Sequence, residues 1–212
     1  MLNLPQPMFN ITHSRTDRRA GGGFRFRLAD GFVGRVLGCG LLLAGLLGNP
    51  AGAQVAKEYQ IKAAYLYNFA KFVEWPAQRF ADDQAPLVIG ISGKDPLGEE
   101  LQAIARDHKI NGRSIVIKQV ATAAEAGGVH LLFISDGEDS RMPEMLAGLK
   151  ETAVLTVGES DKFIAAGGII NFVREADKVR FEINTAAAEQ AGLKISAQLL
   201  KLAKPIHPPT KP

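Results

Sequence analysis

Cysteine is nearly absent from this chain: among 212 residues there is one, Cys39. It lies inside an apolar stretch near the amino terminus, and no cysteine follows it. The rest of the chain therefore has no disulfide, no thiolate nucleophile and no cysteine-ligated metal site. Histidine is also scarce, and His108, His130 and His207 are scattered without the i, i+4 spacing of helical metal ligands. We expect no metal centre and no cofactor.

Apolar runs long enough to cross a membrane are missing as well. Residues 36–47 read VLGCGLLLAGLL, which is shorter than the ~20 residues that a spanning helix needs. A stretch with six arginines and two acidic residues precedes this run, and GNPAGA, with Ala51 and Ala53, follows it. This order is typical of a secretory signal. We predict that residues 1–53 are a signal peptide cleaved near Ala53, and that the mature chain works outside the cytoplasm without direct membrane insertion.

Two details of this segment leave alternatives open. Cys39 follows Val-Leu-Gly, a weak resemblance to a lipoprotein acceptor site, but the apolar stretch continues after it. The basic stretch is unusually long, which leaves a start codon downstream of Met1 open.

An excess of charge of one sign is missing from the mature chain. The whole sequence has 25 Lys and Arg against 22 Asp and Glu. Six of the basic and two of the acidic residues precede Gln54, which leaves 19 against 20. A nearly neutral domain gives no electrostatic reason to expect binding to nucleic acid or to an anionic membrane surface.

The hydrophobic pattern of residues 54–212 predicts one α/β domain. Apolar residues at steps of three and four predict a helix over 56–73, ended by Trp75-Pro76. Further helices are predicted after Asp95, which serves as N-cap, at 141–149 and at 161–165. Residues 186–203 are predicted to form two short helices, separated at Gly192, with Ser196 as the N-cap of the second. Short β-rich runs occur at 87–92, 114–120, 130–135, 153–157, 169–173 and 179–184. The alternation predicts a mostly parallel sheet between helical layers, with the last two strands as an antiparallel edge hairpin.

Two polar features allow a catalytic or binding interpretation. Gly90, Gly93 and Gly98 follow the first of these strands, but they lack the spacing of a dinucleotide fingerprint or a P-loop. A tight strand-to-helix turn explains them. An acidic cluster follows the third strand: Asp136, Glu138 and Asp139. These carboxylates could act as acid and base in a hydrolase, could bind a cation, or could belong to a polar loop that leads into a helix.

The run VRFEIN at 179–184 places polar residues on one side of a strand. Alternation directs Val179, Phe181 and Ile183 to one face, and Arg180, Glu182 and Asn184 to the other. The polar residues could line a pocket for an anionic ligand, or Arg180 and Glu182 could form structural ion pairs. Asn184 could also cap the helix that follows.

Several segments together resemble the YfiR-like family of periplasmic proteins. They are KAAYLYNFAKFVEWP (62–76), PLVIGISGKDPLG (86–98), HLLFIS (130–135), LTVGESDKFIAAGGIINFV (155–173), VRFEINTAAAEQAGLKIS (179–196) and LLKLA (199–203). The resemblance implies a Rossmann-like three-layer sandwich, often dimeric, without enzymatic activity. It further implies a repressor that binds the periplasmic sensor part of an inner-membrane diguanylate cyclase of the YfiN type. Some members carry periplasmic cysteines, which this mature chain lacks, so a thiol switch is excluded here.

We therefore expect a periplasmic negative regulator that lowers cyclic di-GMP and acts as a homodimer. Its predicted partner-binding residues lie on the first helix and its exit: Asn68, Lys71, Glu74 and Trp75. Arg180, Glu182 and Asn184 are the predicted ligand or coupling residues. A periplasmic small-ligand binding protein that serves a membrane receptor or transporter is the alternative.

Overall fold

The computed structural model describes residues 50–176 and 178–206 of the chain. Most of the predicted signal peptide lies outside these ranges. The first described element is helix α1, Pro50–Phe72, which begins earlier than the predicted residue 56 and contains the predicted cleavage position in its first turn.

The apolar side of α1 packs on the sheet, as its periodicity predicts. Leu66 and Phe69 are completely buried. The ring centroid of Phe69 lies 5.6 Å from that of Phe172 and 4.9 Å from that of Phe181. Aromatic contacts at these distances add to the hydrophobic stabilisation of burial. They fix α1 against the last two strands of the sheet.

The described residues form one sheet of six strands and one of two strands. In chain order the strands are β1 (Val73–Glu74), β2 (Leu87–Ser92), β3 (Ile115–Gln119), β4 (Leu131–Ile134), β5 (Leu155–Gly158), β6 (Ile170–Glu175), β7 (Lys178–Ile183) and β8 (Lys194–Ile195). The large sheet has the order β3-β2-β4-β5-β6-β7, with all pairs parallel except the β6–β7 hairpin. The predicted antiparallel edge is confirmed.

Helices cover both faces of the sheet. They are α2 (Gly98–Asp107), α3 (Ala123–Ala126), α4 (Met142–Ala147), α5 (Thr185–Gln190) and α6 (Ala197–Leu200). One core cluster joins α1, α2, α5 and α6 to the sheet, and a second joins α3 and α4 to its opposite face. This is the predicted three-layer α/β sandwich. Counted in chain order, the five parallel strands lie as 2-1-3-4-5, a doubly wound order whose switch point falls between β2 and β4.

Two helix predictions are wrong in detail. Helix α2 begins at Gly98 rather than after Asp95, because Gly98 has φ +44° and interrupts the helical path. Asp95 still accepts hydrogen bonds from the backbone N–H groups of Leu97 and Gly98 at 3.1 and 3.0 Å. The predicted helix at 161–165 is a series of turns instead.

A close glycine contact explains why that segment turns. A Cβ added to Gly158 or Gly168 would lie 2.2 or 2.1 Å from the ring of Phe163. The ring therefore packs directly on backbone, and the chain must curl around it to enter β6. Helical periodicity over five residues does not reveal such a contact.

The exit from α1 forms a strand that the sequence does not predict. Val73 and Glu74 pair antiparallel with Ile195 and Lys194, so β1 and β8 make a two-stranded ladder. The two short helices predicted near the carboxyl terminus are confirmed as α5 and α6. Ser196 caps α6 by accepting from the N–H of Leu199 at 3.2 Å.

Candidate functional site

The predicted partner residues lie at the amino-terminal end of the parallel sheet, where α1 ends. Asn68, Lys71 and Glu74 are exposed, and Trp75 is half-buried. The side-chain amide of Asn68 donates to the carbonyl of Ala64 one turn earlier, at 3.0 Å. The structure thus places Asn68 and Lys71 on the last turns of α1, Glu74 at the end of β1 and Trp75 directly after it.

Trp75 has a structural role alongside the predicted one. Its indole Nε1–H donates to the backbone carbonyl of His130 at 3.0 Å. The two rings meet edge to face with centroids 6.3 Å apart. The indole therefore anchors the exit of α1 to the start of β4 while part of its surface remains accessible.

His130 lies beneath this anchor and is held as a neutral imidazole. Its Nδ1 accepts from the N–H of Val88 at 3.0 Å, and its Nε2 lies 3.2 Å from the carbonyl of Arg79. The proton therefore belongs on Nε2, which donates to that carbonyl. Burial lowers the pKa of His130 below its ordinary value, and the charges of Arg79 and Arg113 act in the same direction.

The predicted ligand residues of β7 have three different environments. Arg180 is exposed, with its Nε 3.7 Å from a carboxylate oxygen of Glu175. Glu182 is buried and lies opposite Asn171 in the hairpin. Asn184 caps α5 by accepting from the N–H of Ala187 at 3.1 Å. Its capping role is the alternative that the sequence left open, and a single ligand-binding face of these residues stays a prediction.

A buried group of charges at the opposite end of the sheet has no counterpart in the predictions. We call it the charge cluster: Glu58, Tyr59 and Lys62 of α1, with Glu159 directly after β5. The Nζ of Lys62 lies 2.6 Å from Glu58 and 2.5 Å from Glu159, and the side chains of Lys62 and Glu159 are 6% and 5% exposed. Burying such charges is costly unless they are paired and hydrogen-bonded.

Hydrogen bonds complete the charge cluster. The hydroxyl of Tyr59 donates to Glu159 at 3.3 Å, and the backbone N–H of Asp136 donates to the same oxygen at 2.7 Å. Burial, together with the neighbouring carboxylates, raises the pKa of Tyr59. The charge cluster thereby ties α1 to the carboxyl ends of β4 and β5.

A cleft of about 300 Å³ opens beside the charge cluster. Arg174 lies on its wall, with its guanidinium 3.6 Å from Glu58 and more than half of its side chain exposed. Lys62 is shared between two carboxylates, so it is held in an ion-pair network and does not project as a free nucleophile. The arrangement fits a structural lock or a binding surface better than a catalytic centre.

The acidic cluster after β4 has the contacts of a polar loop. Asp136 accepts from the N–H of Gly137 at 2.9 Å, and Glu138 pairs with Arg141 at 2.5 Å. Within residues 50–176 and 178–206, no three histidine, cysteine or acidic side chains lie close enough to hold a metal ion. A Cβ on Gly93 would lie 2.5 Å from the hydroxyl of Ser135, so this glycine makes the tight turn that the sequence indicates.

The family model described as DUF4154, YfiR/HmsC-like, matches residues 59–204, more than two thirds of the chain. The chain belongs to the YfiR/HmsC-like family. Proteins of the YfiR/HmsC-like family are known as periplasmic regulators of cyclic di-GMP signalling rather than as catalysts. In the described residues of this YfiR/HmsC-like protein, no helix has the length and apolar character to cross a membrane.

Solved structures show more distant similarity. A conserved domain protein from Vibrio cholerae O1 biovar El Tor strain N16961 is 14% identical, with a TM-score of 0.47, over 68% of this chain and 58% of its own. An ABC domain from Streptococcus pneumoniae, in complex with L-Trp, is 14% identical, with a TM-score of 0.45, over 69% of this chain and 59% of its own. The YfiR/HmsC-like chain thus spans less than three fifths of each. No curated protein matches its sequence.

Proposed function

We propose that this protein binds the periplasmic sensor part of an inner-membrane diguanylate cyclase and holds the enzyme inactive, which lowers cyclic di-GMP. The observation that carries the proposal is the family match, which covers residues 59–204 and so takes in all of the large sheet. The protein acts from the periplasm after removal of residues 1–53, as a homodimer.

The partner-binding surface is the end of α1 together with β1. Lys71 and Glu74 offer charges of opposite sign on exposed side chains. Trp75 is half-buried, so part of its indole surface is accessible while its Nε1–H is bound to the carbonyl of His130. Aromatic side chains surrounded by polar residues are enriched at energetically important positions of interfaces. The anchoring of Trp75 through His130 holds the indole in one orientation before binding, which lowers the entropy cost of association.

Repression requires that the protein binds the inactive conformation of the cyclase more tightly than the active one. A ligand shifts a two-state equilibrium only by the difference between its affinities for the two states. Coupling free energies are commonly about 1–3 kcal/mol, or about 5- to 150-fold in the equilibrium.

The surface is tested by reversing one exposed charge. Lys71→Glu, expressed in a strain that lacks the native gene, should leave cyclic di-GMP high, while Lys109→Glu should restore the low level. Lys109 is also exposed, lies after α2 and is not one of the proposed interface residues. Equal periplasmic amounts of both variants are verified by immunoblot. Full repression by Lys71→Glu would contradict this placement of the interface.

A further inference from the structure

A second cavity lies at the amino-terminal end of the parallel sheet, remote from the charge cluster. It has a volume of about 290 Å³ and is enclosed by the end of α4, the turn before β6, and α5. Its apolar side includes Leu149, Val154 and Ile169, all of which are at most 3% exposed. This volume is just below the range of about 300–1,000 Å³ for small-molecule sites, so its occupant is small.

The polar side chains that line the cavity are one cation and three neutral groups that can donate hydrogen bonds. Its lining contains Lys150, Thr156, Asn184 and Gln190, and none of the described residues that line it is acidic. Lys150 and Gln190 are exposed at the mouth, Asn184 is half-buried, and Thr156 is buried. The cavity therefore offers one positive charge and several hydrogen-bond donors, with apolar surface beside them. The cleft at the charge cluster, by contrast, is lined by three carboxylates.

Two of these side chains, Thr156 and Asn184, carry a hydrogen-bond donor that no hydrogen bond described for them uses. The Oγ1 of Thr156 accepts from the N–H of Ile169 at 3.1 Å, and no hydrogen bond among the described residues uses its hydroxyl proton. The Oδ1 of Asn184 is occupied by the N–H of Ala187, which leaves its NH₂ group as the donor. Buried donors in native proteins are almost always paired. A donor of this kind in the wall of a cavity is available to a ligand that brings an acceptor into it.

We propose that this cavity binds a small organic carboxylate with a short apolar body. The carboxylate pairs with Lys150 and accepts hydrogen bonds from the side chains of Thr156 and Asn184, and the hydrocarbon part lies against Leu149, Val154 and Ile169. The site supplies an observation that favours the ligand-binding alternative, and it does not depend on the proposed repression of a cyclase.

Hexanoate is a suitable probe, with hexylammonium as the control of opposite charge and similar shape. The exported protein, labelled with ¹⁵N, is titrated with each while the backbone amide signals are followed. Hexanoate should shift the signals of Gly167 and Ala187 saturably, and hexylammonium should bind at least about tenfold more weakly. Each CH₂ added from butyrate to hexanoate should tighten binding about fourfold, the increment for burying that group.

Variants locate the binding in the cavity. Lys150→Gln should weaken hexanoate about two- to fivefold, the range for an exposed ion pair. Lys201→Gln, at an exposed lysine outside the cavity, should bind as the wild type does. Ala186→Leu, at an exposed position of the lining, should block the cavity and weaken binding at least about tenfold. Equal binding of both probes, no saturable shift with hexanoate, or full affinity in Lys150→Gln would overturn the proposal.

Discussion

Replacing Lys62 by methionine removes the cation on which the charge cluster depends. In the native protein its Nζ lies 2.6 Å from Glu58 and 2.5 Å from Glu159. Methionine fills a similar volume but leaves the two carboxylates without their shared cation. Removing one partner of a buried ion pair costs about 3–5 kcal/mol, because the remaining charge stays buried without compensation.

The size of the effect follows from how deeply the pair is buried. The side chain of Glu159 is 5% exposed, so solvent cannot replace the lost partner, whereas Glu58 at 18% can relax toward water. For a domain of this size, each kcal/mol corresponds to about 2–4 °C in melting temperature. We expect Lys62→Met to lower the melting temperature by about 6–20 °C. Lys57→Met, an exposed position on the same helix, should change it by no more than about 2 °C.

Urea unfolding followed by circular dichroism gives the free energy of unfolding of Lys62→Met, of Lys57→Met and of the double variant Lys62→Met/Glu159→Gln. Because glutamine keeps an oxygen for the N–H of Asp136 but carries no charge, the double variant should be more stable than Lys62→Met alone. A Lys62→Met protein within about 1 kcal/mol of the wild type would refute the description of the charge cluster as a mutually dependent ionic lock.

Two other predictions concern single positions. Because the pKa of His130 is lowered in the folded state, the unfolded chain binds more protons below the ordinary pKa of 6.5. The free energy of unfolding should therefore fall as the pH drops below 6.5, by at most about 1.4 kcal/mol per pH unit. His130→Gln should flatten this dependence. Gly168→Ala should destabilise by about 1–3 kcal/mol in thermal unfolding, because its Cβ would overlap the ring of Phe163. Gly127→Ala, with its nearest contact at 3.4 Å, should cost less than about 0.5 kcal/mol.

The sheet and its layers could be predicted because they depend on local patterns. Runs such as LVIGIS and HLLFIS are apolar except at their ends, as expected of strands covered on both faces. The hairpin of β6 and β7 follows from two adjacent β-rich runs, and Ser196 is a residue type that favours N-cap positions. Each of these signals lies within a few residues of the structure that it predicts.

The charge cluster could not be predicted in this way. Glu58 lies four residues before Lys62 and is a local partner, but Glu159, which completes the charge cluster, is 97 residues away. The strand β1 was missed for a similar reason, since a two-residue strand exists only through its pairing with β8. The environment of the β7 residues likewise depends on a segment that is distant in sequence. The backbone N–H of Lys204 donates to the carbonyl of Phe181 at 2.9 Å, so the segment after α6 runs along the outer edge of β7.

The most direct test of the central claim is the level of cyclic di-GMP in cells that lack this gene, complemented with the chain with and without residues 1–53. We expect the level to rise on deletion and to fall again only with the form that carries the export signal. Unchanged cyclic di-GMP on deletion, in cells that express a membrane-bound diguanylate cyclase with a periplasmic sensor part, would contradict the proposal of repression across the membrane. Restoration by the form without the signal would contradict its periplasmic site of action.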